Sequence, residues 1–174
     1  MLFLKWIILL GIFLTSLTLG FAYGDKYAKR VYYLKGLLQS IKLLKTEVII
    51  LSNPLPIALK NASDKSDKKI KEVFDLILKD IMENDRGEVY SSFLETKYML
   101  RNECFLLKED IGLFLNLGKI IGKTDRLDQG KHFTHVIEEL KTAIDEAKVD
   151  KDKNQNMYRS LGLLMGLGAI IILI

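Results

Sequence analysis

Both ends of this sequence are apolar runs without a charged residue, and that arrangement leaves the chain few ways to fold in water alone. Residues 6–23 form the first uncharged run and residues 160–174 form the second. An α-helix needs roughly 20 such residues to cross the hydrocarbon core of a bilayer. The first run is long enough, and it predicts a transmembrane anchor over residues 1–24.

The first run also admits a second interpretation. Gly20-Phe21-Ala22 has the small-x-small pattern of a signal-peptide cleavage site. Only Lys5 precedes the run, and most of the basic residues follow it, whereas a signal peptide carries its positive charge in front. This distribution favours a retained anchor. Cleavage would instead make the remainder of the chain an extracytoplasmic domain.

The second run ends on Ile-Ile-Ile-Leu-Ile174, with no polar residue after it. Arg159 interrupts it near its start, and the run is short enough to suit a buried core helix as well. A bare apolar end is hard to solvate, however. We therefore expect a C-terminal transmembrane segment over residues 157–174.

Both runs carry small residues four positions apart, which lets two helices approach closely in lipid. The alternative explanation is that membrane helices are rich in glycine in general. The spacing predicts helix packing through Ser16, Gly20, Gly24, Gly162 and Gly166.

The segment between the runs, residues 25–156, predicts a cytoplasmic helical bundle. Of the 26 Lys/Arg only Lys5 lies outside residues 25–159, which leaves 25 basic against 22 acidic residues there. Because the two signs are interleaved, the charge pattern does not indicate a nucleic-acid partner. No stretch alternates with period two for long. We therefore expect an all-α fold of about six helices with a transmembrane segment at each end.

Apolar residues at helical spacing place these helices. The first continues out of the anchor to Leu51, and Asn53 and Pro54 are suited to cap and begin a short second helix. The remaining elements are a polar break over 61–66, a helix over 70–81, a turn that ends at Gly87, helices over 88–101 and 104–122, and a last helix capped by Thr124 or Asp125.

Basic residues flank the helical segment at both of its ends. Lys26, Lys29 and Arg30 follow the first run, and Lys151 and Lys153 precede the second. The positive-inside rule then places the helical segment in the cytoplasm, although that rule weakens for loops longer than about 60 residues.

Nothing in the sequence indicates catalysis, a metal, a cofactor or a small-molecule substrate. Gly122-Lys123-Thr124 resembles the end of a phosphate-binding loop, but position 117 is leucine and a helix is predicted where that loop needs a strand. His132 and His135 provide half of a zinc site at most. Cys104 stands in an apolar stretch and is interpreted as a core residue.

Two stretches together carry a resemblance to a known family. They are Leu117-Gly-Lys-Ile-Ile-Gly-Lys-Thr-Asp-Arg-Leu-Asp-Gln-Gly-Lys-His132 and Ser160-Leu-Gly-Leu-Leu-Met-Gly166 with the apolar end that follows. The chain resembles stage III sporulation protein AB in these stretches, in its length and in the Pro54-Leu55 that follows a helix. Leu51 and Asn53 stand where that family tends to show tyrosine and threonine, which is a local departure.

The resemblance implies a specific role. The family belongs to a complex that connects mother cell and forespore, and its soluble domain is similar to that of the platform protein of type II secretion and type IV pilus systems. A secretion-type ATPase and the other subunits of the complex are the implied partners. The corner formed by Gly118, Gly122, Asp125, Arg126 and Gln129 is the expected packing and partner-binding site.

The sequence thus supports two hypotheses. The first is a non-enzymatic scaffold in the mother-cell membrane facing the forespore, with its soluble domain in the cytoplasm. The second is a membrane-tethered regulatory or sensor module with an extracytoplasmic helical domain. Self-association is compatible with both.

Overall fold

The computed structural model describes residues 2–83, 88–121, 123 and 125–173. In this part of the chain the backbone forms α-helices, one π-helical turn (Thr46–Ile50) and no β-strand, which confirms the all-α prediction. The helices are α1 (Leu2–Lys45), α2 (Leu55–Asp64), α3 (Lys68–Glu83), α4 (Val89–Glu95), α5 (Lys97–Asn102), α6 (Lys108–Ile120) and α7 (Arg126–Leu173).

The contacts divide the chain into two compact units. Unit 1 contains the residues up to Val31 and those from Glu146 onward, and unit 2 is Tyr32–Asp145. Helices α1 and α7 each contribute to both units. Unit 1 is a pair of antiparallel helical segments, because Ser16 and Phe13 of α1 contact Gly162 and Gly166 of α7 in reverse order.

The core of unit 2 is built on aromatic side chains from three helices. Phe74 of α3 and Phe93 of α4 lie 6.0 and 5.0 Å from the ring of Phe114 of α6. All three side chains are fully buried. The apolar stripes predicted for α3 and α7 also face this core, with their buried members Ile70, Val73, Ile77, Phe133, Val136, Ile137, Leu140 and Ile144.

Two helix boundaries differ from those predicted. The segment 88–101 forms two short helices, since the backbone bends at Thr96, whose buried hydroxyl donates to the Phe93 carbonyl. Helix α2 runs to Asp64 and buries Ala62 and Ser63, so the polar break predicted over 61–66 is shorter. Ala62 has the strongest helix preference of any residue, and its burial together with Ser63 favours the continuation of α2 over a polar break.

The start of α2 also differs from the prediction. Pro54 is the residue before the helix, and Asn53 does not cap it; the Asn53 side-chain amide donates to the Glu47 carboxylate instead. The prediction of Asn53 as the cap is therefore wrong. Asn53 instead bonds Glu47, a buried charged residue, and the helical periodicity of the sequence did not predict that Glu47 is buried.

Helix α1 passes into the π-helical turn at Thr46. A π-helix closes its hydrogen bonds one residue later than an α-helix, which ends the regular apolar stripe of α1. Leu51 was expected to continue that stripe but is 56% exposed, and Glu47 is buried at 6%.

One helix of the described chain, over Trp6–Ile50, is long and apolar enough to cross a membrane by length and composition. Among the described residues the terminal part of α7 is not identified in this way. A C-terminal span therefore stays a prediction.

Candidate functional site

Four of the five predicted corner residues are described, and all four belong to unit 2. Gly118 lies in α6, Asp125 immediately precedes α7, and Arg126 and Gln129 belong to the first turn of α7. Gly122 and Thr124 lie outside the described residues. The four that are described have different tasks.

Gly118 is where α6 presses against α4. A Cβ atom on Gly118 would lie 2.6 Å from Cγ and 2.9 Å from Cβ of Phe93. Phe93 is fully buried, so its ring is surrounded by other atoms and would have to displace them to make space for a Cβ. Gly118 therefore contributes close packing rather than a surface for a partner.

Asp125 caps α7. Its Oδ1 accepts a hydrogen bond of 2.8 Å from the backbone N–H of Asp128, and its carbonyl accepts one of 3.0 Å from the N–H of Gln129. An aspartate in this position satisfies amides that have no partner within the helix, and its charge opposes the positive end of the helix dipole. Asp125 thus fixes the start of α7.

Arg126 joins the start of α7 to the connection that follows the π-helical turn. Its Nη1 donates to Oγ of Ser52 over 2.5 Å. Ser52 has a φ of 59°, a left-handed conformation that side chains other than glycine adopt at a cost. About two helical turns further along α7, Lys45 Nζ donates to Thr134 Oγ1 over 2.8 Å. The two helix ends are tied at two points.

A buried carboxylate holds the turn that follows α1. Oε2 of Glu47 accepts hydrogen bonds of 2.8 Å from the side-chain amide of Asn61 and 2.7 Å from that of Asn53. The Asn53 backbone N–H also donates to the Glu47 carbonyl over 3.0 Å. The bonds from Asn61 and Asn53 hold the pKa of the Glu47 carboxyl below its usual range, because they favour the charged form.

Three apolar side chains stand exposed over this tied turn. Leu127 is 78% exposed, Ile50 70% and Leu51 56%. Leu127 follows Arg126 in the chain and Leu51 precedes Ser52, the residue to which Arg126 donates, so these residues flank the Arg126–Ser52 hydrogen bond. We call Ile50, Leu51, Arg126 and Leu127 the corner surface.

Arg126 was predicted from the sequence as part of a partner-binding corner, whereas the exposed apolar residues beside it were not predicted. The sequence does contain one indication of an exposed apolar residue here, because Leu127 stands between Arg126 and Asp128 in an otherwise polar first turn of α7. Ile50 and Leu51 gave no such signal, because an unbroken α-helix would turn Leu51 toward the core.

The five predicted membrane-packing residues all lie in unit 1, on the facing sides of α1 and α7. A Cβ atom on Gly20 would lie 2.8 Å from Cα of Gly162, and one on Gly162 would lie 2.8 Å from Cα of Gly20. Ser16 Oγ donates to the Gly162 carbonyl over 2.8 Å. A Cβ on Gly24 would meet the Gln155 carbonyl at 2.9 Å, and one on Gly166 would meet the Phe13 ring at 2.7 Å. We call Ser16, Gly20, Gly24, Gly162 and Gly166 the small-residue contact.

Polar side chains continue this contact where the first apolar run ends. Arg159 Nη2 donates to Asp25 Oδ1 over 2.8 Å, and further along the pair Arg30 Nη1 donates to Asp150 Oδ2 over 3.0 Å. The Tyr158 ring stacks between those of Tyr23 and Tyr27 at 6.1 and 5.9 Å. Arg159, which interrupts the second apolar run, therefore has a specific partner on the other helix.

Known proteins match this chain along most of its length. The family model described as Stage III sporulation protein AB matches residues 5–174. The Stage III sporulation protein AB of Bacillus subtilis (strain 168) is 22% identical over 154 residues, which cover 88% of this chain and 90% of that protein. A solved structure of Stage III sporulation protein AB (SpoIIIAB) is similar with a TM-score of 0.65 and 16% identity, over 72% of this chain and 98% of that one. The chain belongs to the stage III sporulation protein AB family, and its role lies in sporulation.

Proposed function

We propose that this chain is a non-enzymatic platform subunit of a secretion-like complex in the mother-cell membrane facing the forespore. It holds a cytoplasmic secretion-type ATPase against the other subunits through the corner surface. Family membership and the membrane-length apolar helix support its place in such a complex.

The corner surface is the observation that carries the proposal. Its apolar side chains are exposed, and Arg126 at their edge is a residue type enriched at protein interfaces. The base beneath them is held by the Glu47 network and by the two ties between helix ends. A surface that is already ordered loses less conformational entropy when a partner binds.

The near-match to a phosphate-binding loop does not indicate a nucleotide site in this chain. Residues 122–124 follow α6, whereas a phosphate-binding loop follows a strand and opens a helix with its amides around the phosphates.

The test is co-purification of the ATPase with the full chain from membranes of sporulating cells. Leu127→Asp and Arg126→Glu each change the corner surface while leaving the Asp125 cap in place. We expect each variant to lower ATPase recovery by roughly tenfold or more, as for the loss of a central interface residue. Val149→Asp, at a residue that is 68% exposed in unit 1, is the matched control and should retain the ATPase.

Unchanged ATPase recovery and sporulation in both corner variants would contradict the docking role. Topology is tested separately with Leu127→Cys expressed in vegetative cells, whose membrane faces the medium, and a membrane-impermeant maleimide. We expect labelling only after the cells are opened, since the proposal places unit 2 in the cytoplasm. Labelling of intact cells would exclude both the topology and the cytoplasmic partner, and would favour the extracytoplasmic sensor.

A further inference from the structure

Unit 1 carries a band of basic residues just beyond the first apolar run. We call residues 24–31 and 150–159 the juxtamembrane band, and it contains six basic and three acidic residues. Its two parts face each other on α1 and α7, since Arg159 donates to Asp25 and Arg30 donates to Asp150. The band is therefore shared by two adjacent helical segments, and its net charge is positive.

Every acidic residue of the juxtamembrane band forms an ion pair inside it. Two of these pairs are the hydrogen-bonded ones just described, at 2.8 and 3.0 Å. In the third, Oδ1 of Asp152 lies 4.0 Å from Nζ of Lys151. The other three basic residues are Lys26, Lys29 and Lys153, and all three are exposed. The band therefore carries more positive charge than its own carboxylates can neutralise.

Tyrosine rings indicate the level of the band relative to the bilayer. The ring of Tyr158 stacks on that of Tyr23 at 6.1 Å, and Tyr23 is 51% exposed. Tyrosine is enriched at the level of the lipid headgroups. Lys26 Nζ lies 4.3 Å from the centre of the Tyr23 ring. The ammonium group is thus held beside a side chain that marks the headgroup level.

The remaining lysines of the band lie close to the same level. Lys29 follows Tyr23 by six positions, which is about 9 Å along a helix. Lys153 lies on α7 between Asp150 and Arg159, the residues that pair with α1. These separations are comparable to the distance of about 8–10 Å over which salt screens a charge. Headgroup charge therefore acts on all three lysines.

We propose that the juxtamembrane band binds the headgroups of anionic phospholipids in the leaflet that it faces. The inference rests on the membrane anchor of the proposed function. Each basic residue held this close to an anionic surface strengthens the association roughly fivefold. The lysine side chains are long and exposed, so their ammonium groups reach phosphate oxygens while the ion pairs between α1 and α7 stay intact.

The anchor selects a lipid as the partner of the band. It keeps the band beside headgroups at all times, whereas a protein or a nucleic acid would have to be recruited. Only Lys5 precedes the first apolar run, so the excess of positive charge lies on one side of that run. The band uses none of the corner-surface residues, and the ATPase partnership can fail without it.

The test measures which lipid surrounds the band, with brominated phospholipids that quench tryptophan fluorescence on contact. Trp6→Phe with Tyr23→Trp leaves one tryptophan, at position 23, and keeps an aromatic ring beside Lys26. The full chain is reconstituted in bilayers that mix phosphatidylglycerol and phosphatidylcholine, with one or the other brominated. We expect phosphatidylglycerol to occupy the sites around position 23 roughly fivefold more readily than phosphatidylcholine.

Two substitutions in this reporter chain test the lysines themselves. Lys26→Gln with Lys153→Gln should reduce the lipid preference to within about twofold of equality, because most of the excess charge is gone. Lys26→Arg with Lys153→Arg is the matched control and should keep the preference. Lys79→Gln with Lys141→Gln removes the same charge from exposed residues of unit 2 and should also keep it.

Equal quenching by the two lipids, or a preference that survives Lys26→Gln with Lys153→Gln, would overturn the proposal. Stronger competition by inorganic phosphate than by chloride at the same ionic strength would indicate a site for free phosphate, and would overturn it as well. Absence of quenching by either lipid would show that position 23 does not contact the bilayer. That result would also contradict the membrane anchor, whereas equal quenching would leave the anchor in place.

Discussion

Glu47 is the residue on which the end of α1 depends. A buried carboxylate is destabilising unless hydrogen bonds replace its lost hydration, and here two side-chain amides do so. The same two bonds hold Asn61 of α2 and Asn53 of the connection close to the π-helical turn. Removal of the carboxylate would therefore loosen the base of the corner surface.

We predict a pH-dependent contribution of Glu47 to stability. Its pKa in the folded chain lies below the ordinary value of 4.5, because Asn61 and Asn53 stabilise the charged form. A lowered pKa contributes stability that is fully present above 4.5 and is lost as the pH falls through the folded pKa. The thermal midpoint of the natural chain should exceed that of Glu47→Gln near neutral pH, and the difference should shrink below pH 4.5.

The control for this measurement is Glu139→Gln, an exposed residue of α7. It removes one charge without touching the network, and its effect on the thermal midpoint should be small. A Glu47→Gln difference that stays constant down to strongly acidic pH would exclude the proposed role of the carboxylate.

At the residue scale, sequence patterns predicted a cap of α7 at Asp125 or its neighbour, but they did not predict the hydrogen bonds around Glu47. An aspartate just before an amphipathic segment is a local signal, and Asp125 does accept from the Asp128 N–H. Glu47 lies 14 positions from Asn61, and nothing local indicates that the two meet. Local chemistry is readable from sequence, whereas a buried polar contact between distant residues is not.

At the scale of the element, α6 contains one glycine in a tightly packed position and one with open space around it. A Cβ on Gly118 would press into the buried Phe93 ring, and a Cβ on Gly112 would meet nothing within 4 Å. Both lie inside the same helix, where alanine is intrinsically the better residue. Packing alone distinguishes them.

We predict that the two alanine substitutions shift stability in opposite directions. Gly118→Ala should destabilise unit 2 by about 1–3 kcal/mol through overpacking. Gly112→Ala should stabilise it by about 0.5–1 kcal/mol, because glycine gains more conformational freedom on unfolding. Chemical denaturation of the full chain in one detergent measures both. Shifts of the same sign would show that Phe93 moves aside without cost.

Helix type and order could be predicted from the spacing of apolar residues, but bends and π-helical turns could not. The predicted helix over 88–101 breaks at Thr96, a β-branched residue that a helix tolerates, and only its burial beside Phe93 accounts for the bend. The π-helical turn depends in the same way on where Glu47 finds its partners. These features arise from tertiary contacts that a single sequence does not display.

At the scale of the whole molecule, the two apolar ends belong together. The glycine spacing in the sequence predicted that each apolar segment packs against another helix, but it did not indicate which helix. In unit 1 each segment covers the small residues of the other, and Asp25 with Arg159 extends the match into polar side chains. The direct backbone approach of Gly20 and Gly162 leaves no space for any larger residue.

This pairing predicts that residues 1–22 are retained in the mature protein. Cleavage after Ala22 would remove the surface that covers Gly162 and Gly166, and would leave the Ser16 hydrogen bond unmade. The intact mass of the protein purified from sporulating membranes should equal that of the full sequence. A mass that lacks residues 1–22 would instead support the signal-peptide interpretation.

The small-residue contact also sets an order of events during synthesis. Ser16 and Gly162 are 146 positions apart, so the first segment is made long before the residue that it contacts. The closure entropy of so long a loop grows only with the logarithm of its length, and a late encounter costs little more than an early one. A chain that is released from the ribosome before Gly162 is made, by contrast, leaves Gly20 and the Ser16 hydroxyl without this contact. The small-residue contact therefore forms only in chains whose synthesis has passed Gly162 and Gly166.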